Sequence, residues 1–137
     1  YAHHPSEVKA SLQAVAQRYP GRNIITVFHP HTFTRTRVLL DEFAKSFSMA
    51  DEVAIMGIYG SAREKSGGVS NHDLVRKIKD HNKLGHIKQK VLALEDQDSV
   101  LAYLRQHLGK DMVAVLMGAG DVFRVAEKLL PVKKRKL

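Results

Sequence analysis

Ten consecutive residues carry the densest polar chemistry in the chain: Phe28-His29-Pro30-His31-Thr32-Phe33-Thr34-Arg35-Thr36-Arg37. They follow an apolar run and lead into a helical pattern, so their backbone N–H groups could face an anion. Arg35 and Arg37 each present a rigid guanidinium fork suited to a carboxylate or phosphate. His31 could donate or accept a proton near neutral pH. Ordinary surface arginines on a solvent-facing first turn are the plainer reading of the same residues.

Two further segments have loop chemistry. Gly57-Ile58-Tyr59-Gly60-Ser61-Ala62-Arg63-Glu64 has glycines that permit close approach, and Arg63 or Glu64 could either shape the loop or reach a substrate. Gly118-Ala119-Gly120-Asp121 resembles a phosphate-binding turn, but residue 123 is Phe rather than the third glycine of a dinucleotide fingerprint. Its glycines could equally serve tight strand-to-helix packing, with Asp121 capping the last helix. At the start, His3-His4 precede Pro5 without a second pair at helical metal-ligand spacing, and there is no cysteine. Zinc asks for about four convergent ligands, so no metal is assigned here. Tyr1 and His3 could face a partner domain or simply fray. A Gly-x-x-x-x-Gly-Lys-Ser/Thr loop and a Gly-x-Ser-x-Gly elbow are both missing.

These segments fall between regular elements. Helical spacing runs from Ser6 to about Arg18, with His4 or Ser6 at its start and Pro20-Gly21 as its stop. Ile24–Phe28 reads as a buried strand, Thr34–Phe47 as a helix and Glu52–Met56 as a second strand. Gly57–Gly68 reads as a loop. Ser70 and Asp73 then offer a shortened capping box for a helix facing inward through Leu74, Val75 and Ile78. His81–Lys90 has no clear pattern. Lys90–Leu94 reads as a strand, and a helix from Asp96 or Asp98 ends near Gly109, which suits a left-handed cap. Met112–Met117 is the last strand, followed by a helix that uses Val122, Val125, Ala126, Leu129 and Leu130 until Pro131.

Four strands separated by helices predict a three-layer α/β sandwich with a mostly parallel sheet flanked by helices. Continuous apolar strands such as Val113–Met117 fit burial on both faces. In such folds ligands meet the carboxyl ends of strands, which selects His29–Arg37, Gly57–Glu64 and Gly118–Asp121.

Length and composition bound the rest. The 137 residues suit one domain, 44% are hydrophobic and 26% charged, and no run is long enough to span a bilayer. Twenty-two basic residues against 14 acidic ones leave a formal charge of +8, and Lys133, Lys134, Arg135 and Lys136 supply half of that excess. A basic field can attract nucleic acid, but aromatic residues are only 7% and are not interleaved with the cations as base stacking requires. Neither an initiating Met nor a signal-peptide pattern opens the chain, which reads as a cut from something longer.

Taken together, Tyr1-Ala2-His3-His4-Pro5, Pro30–Arg37 leading into Leu40-Asp41-Glu42-Phe43, Ile58–Glu64 and Met117–Asp121 resemble the ATP-dependent Mur ligases, nearest to the branch that adds L-alanine. The likeness extends from Tyr1 to about Leu130. It implies a Rossmann-like C-terminal domain spanning residues 6–131, an interdomain junction at 1–5 and a basic tail at 132–137. It also implies two absent partners, an N-terminal UDP-binding domain and a central ATPase domain that principally holds ATP and Mg. The implied substrates are L-alanine and UDP-N-acetylmuramate, in the cytoplasm, with no membrane or nucleic-acid partner and no activity from the fragment alone. By the same likeness Tyr1 and His3 border the amino-acid site, while His31 and Arg35 lie near alanine and the reacting carboxylate. Arg35 and Arg37 would hold carboxylate charge, and Arg63, Gly118, Gly120 and Asp121 would line the cleft. Thr32 departs from the arginine of many Mur ligases, which shifts the expected load toward Arg35, Arg37 and backbone donors. A stand-alone basic nucleotide- or nucleic-acid-binding domain and a stand-alone transferase or hydrolase are the competing readings.

Overall fold

A computed structural model describes residues 1–61, 67–118 and 120–130. Strands β1 (Asn23–His29), β2 (Glu52–Met56), β3 (Lys90–Leu94) and β4 (Met112–Gly118) form one parallel sheet in the order β3-β2-β1-β4. Side chains alternate across it, as the two-residue period of a strand demands. Ile24, Phe28, Val53, Ile55, Val91 and Met117 face one core with α1 (Pro5–Arg18), α3 (Leu40–Ala44) and α4 (Asn71–Leu84). Ile25, Val27, Ala54 and Met56 face the other, with α5 (Gln97–His107) and α6 (Phe123–Leu129). The predicted three layers are therefore present. None of the described helices is long and apolar enough to cross a membrane.

Local chemistry explains the helix starts. His4 caps α1 by accepting the Ser6 N–H at its Nδ1 (3.2 Å), while Glu7 accepts the His4 N–H (3.1 Å). Ser70 and Asp73 form the predicted reciprocal box at α4, and Asp96 caps α5 through the Ser99 N–H at 2.8 Å.

Four expectations change. The helix predicted over Thr34–Phe47 is two, α2 (Phe33–Val38) and α3, joined at Leu39 where ψ is 18°. The break exposes Val38 and turns Phe43 and Phe47 inward. Helix α4 continues through the unassigned segment to Leu84 because buried Asn82 is satisfied there. Asn82 donates to the Gln89 side-chain carbonyl (2.8 Å), and the Gln89 amide donates to the Phe47 and Ala50 carbonyls (2.7 Å each). Gly109 is not left-handed, since α5 closes on an extended Leu108. Asp121 does not cap α6 with its carboxylate; its backbone carbonyl accepts the Arg124 N–H at 2.9 Å instead.

Candidate functional site at the carboxyl ends of the strands

The chain steps from β1 outward through β2 to β3, then returns to place β4 on the other side of β1. Loops leaving β1 and β4 therefore diverge toward opposite faces and open a crevice between them, the place where α/β sheets usually bind ligands. At this switch point His29 is in register with Gly118. Gly118 has φ +126°, and a Cβ there would collide with the His29 carbonyl oxygen and lie 3.0 Å from the His29 Cβ. Glycine is thus required for the two strand ends to remain paired.

His29 occupies the middle of the crevice. The backbone of Gly57, the first residue after β2, acts on its imidazole by favouring the protonated form. Nδ1 is buried with no hydrogen-bond partner among the described residues. Burial lowers the His29 pKa from its ordinary value, with His31 acting in the same direction, while the Gly57 backbone and the Asp121 carboxylate oppose the shift. A Cβ on Gly120 would lie 3.9 Å from the His29 Nδ1 and 4.0 Å from the Tyr59 ring, so the β4 turn lies directly against this histidine.

Beyond the strands, the β1 and β2 loops remain joined. The Tyr59 N–H donates to the Pro30 carbonyl and the Thr32 N–H to the Tyr59 carbonyl, both at 2.8 Å. His31 stacks on the Tyr59 ring, with centroids 5.7 Å apart and planes 19° apart. Thr32 then turns the chain into α2 with φ +64°, an unusual value for a β-branched residue. Local bonds hold that conformation: its hydroxyl accepts the Arg35 N–H at 3.2 Å, and its carbonyl accepts the Thr36 hydroxyl at 2.8 Å.

The three segments selected from sequence thus meet at one rim, through His29, His31, Tyr59, Gly118 and Gly120. Arg35 is half-buried in the first turn of α2, and no described carboxylate is within ion-pair distance of it. Asp121 is exposed, 3.6 Å from the Arg124 guanidinium. Tyr1, 95% exposed, borders a small pocket of about 50 Å³ that is also lined by Leu116, Gly118, Gly120, Val122 and Phe123. The His3 Nδ1 lies 2.7 Å from the Tyr1 carbonyl oxygen, which ties the two predicted junction residues together. Arg37 goes elsewhere, to a cavity of about 250 Å³ between α2–α3 and α4 with Gly68, Asp73, Arg76, Lys77 and Asp80. None of His29, His31, Arg35 or Tyr59 lines that cavity. Arg63 lies outside the described residues.

His29 and Tyr59 had no assigned role in the sequence reading. The available signal was position, because each stands at or just past the carboxyl end of a buried strand. Their convergence, however, depends on β1 and β2 being neighbours. Chemically, the rim combines a neutral-leaning imidazole, a stacked second imidazole and glycine turns that admit close backbone approach, with half-buried Arg35 in the adjoining first turn of α2. Those groups can donate and accept hydrogen bonds to a small polar ligand at the strand ends.

Residues 1–120 match the family model described as Mur ligase, glutamate ligase domain. A UDP-N-acetylmuramate–L-alanine ligase of Pediococcus pentosaceus is 48% identical over 122 residues, covering 89% of this chain and 25% of that protein. One of the same name from Caldanaerobacter subterraneus is 40% identical over 135 residues, covering 98% and 28% respectively. The crystal structure of a UDP-N-acetylmuramate-alanine ligase from Thermotoga maritima shares the fold with a TM-score of 0.66 at 21% identity, over 93% of this chain and 24% of that one. The chain therefore spans about a quarter of the length of the relatives it matches. The match over nearly the whole chain, with the rim loops inside it, makes this protein a member of the Mur ligase family, in its glutamate ligase domain.

Proposed function

We propose that this chain is the amino-acid-binding and closure domain of an ATP-dependent ligase that joins L-alanine to UDP-N-acetylmuramate. The observation that carries the reading is the gathering of His31, His29 and the Gly118–Gly120 turn at the switch point, with Arg35 in the adjoining first turn of α2. The names of the relatives support the choice of substrates.

In this reading ATP converts the sugar-linked carboxylate into an acyl phosphate, and the alanine amine attacks its carbonyl carbon to form an amide with release of phosphate. Arg35 would hold the alanine carboxylate or counter charge developing on the acyl group. His31 would face the same small substrate. Residues 1–5 would form the junction, with Tyr1 against the β4 turn, and residues 6–131 the domain itself. ATP and Mg2+ are assigned to a separate ATPase domain, because this sequence lacks a P-loop lysine. Closure of the rim over that domain would align the amine with the activated carbon and exclude water.

The purified 137-residue chain should give no ATP-dependent ligation of alanine, and mixing it with the remaining two domains should restore it. Ligation by the chain alone would overturn the assignment.

A further inference from the structure

The rim contains one large aromatic side chain that the proposed reaction leaves without a task. Tyr59 is 51% exposed, yet it is fastened to the β1 loop by its backbone and its ring together. Its N–H and C=O bond to Pro30 and Thr32, the two neighbours of His31, and leave His31 opposite it as an isolated parallel bridge. The ring then stacks on His31, meets His29 edge-on at 5.7 Å and 80°, and borders the Gly120 turn. On its other flank, a Cβ at Gly60 would come within 3.0 Å of the Phe33 ring, so the next residue also packs against the β1 loop.

A histidine on a connecting loop ordinarily samples several rotamers, and ordering it costs conformational entropy. Here the stacking surface comes from a residue whose backbone is bonded on both sides of that histidine, so the plane of the imidazole is set together with the path of its loop. Aromatic pairs of this separation attract beyond the burial of their area, enough to favour one rotamer several-fold. The contacts with His31 and His29 are made by the Tyr59 ring.

We infer that Tyr59 is a positioning residue for His31, holding the imidazole plane toward the crevice in the geometry that the amino-acid substrate requires. The inference rests on the proposed site. Tyr59 itself need not touch the reacting atoms.

The test is a double-mutant cycle in the full-length ligase, with kcat and KM for L-alanine measured for Tyr59→Leu, Tyr59→Phe, His31→Ala and Tyr59→Leu/His31→Ala. Tyr59→Leu should lower kcat/KM about 10- to 100-fold, the scale of an ångström-level misplacement. Tyr59→Phe should recover most of that loss. In the His31→Ala background, Tyr59→Leu should add less than about 2-fold, because its effect passes through the missing imidazole. In the 137-residue chain, the His31 ring C–H resonances should move in Tyr59→Leu and stay near their parent positions in Tyr59→Phe. Full additivity of the two losses, failure of Tyr59→Phe to recover activity, or unmoved His31 resonances would overturn the inference alone. A fully active His31→Ala enzyme would overturn the site assignment, and this inference with it.

Discussion

Replacing Gly118 with alanine sets a methyl group against the carbonyl oxygen of His29, at the place where β1 and β4 end together. Two costs combine. Holding an alanine at φ +126° costs about 1–3 kcal/mol. Relieving the collision requires the ends of two paired strands to separate, with a cost of about 1–3 kcal/mol typical of overpacking. The sum is about 2–6 kcal/mol, or a fall in melting temperature of about 6–18 °C for a chain of this size. Gly21 supplies the internal control, since its φ is +77° but nothing lies within 4 Å of a Cβ there. Gly21→Ala should therefore lose only the backbone contribution, about 1–2 kcal/mol. Urea and thermal unfolding of both variants, followed by circular dichroism, separate the two costs. Equal losses from Gly118→Ala and Gly21→Ala would refute the steric argument and the tight His29–Gly118 junction with it.

Two other predictions concern the same fold. His29 has a lowered pKa in the folded state, so the unfolded chain binds more protons as pH falls from about 6.5, the ordinary imidazole value. The associated stability is present above that pH and lost as pH drops toward the folded pKa; melting temperature should fall between pH 7 and 5 more steeply in the parent than in His29→Gln. Asn82→Ala removes the donor that satisfies Gln89 and should destabilise by about 1–3 kcal/mol in urea unfolding, with no loss expected if water replaces the amide freely.

The parallel sheet was legible because its strands are short apolar runs bounded by turn residues, and three of the predicted caps proved to be hydrogen-bonded as expected. The last turn of α4, residues 81–84, was not legible, because Asn82 is a polar residue in a core position and its partner, Gln89, lies beyond the end of the helix. The break at Leu39 was hidden for the opposite reason: the apolar spacing continues across it while the backbone angle does not. At the site, the strand-end rule located all three loops, yet it treated Arg35 and Arg37 alike. Residues two positions apart on a helix are about 200° apart around its axis, so Arg37 lines the α4 cavity while Arg35 does not. His29 and Tyr59 gain their roles only from strand order, since sequence places them thirty residues apart and the sheet makes them neighbours.

The assignment of this rim to alanine is tested most directly by steady-state kinetics of Arg35→Ala in the full-length ligase, with L-alanine as the varied substrate. Losing a charge-assisted hydrogen bond of about 1.5–3 kcal/mol should reduce kcat/KM for alanine by about 10- to 100-fold while the protein remains folded. Parental turnover at both limiting and saturating alanine would contradict the assignment.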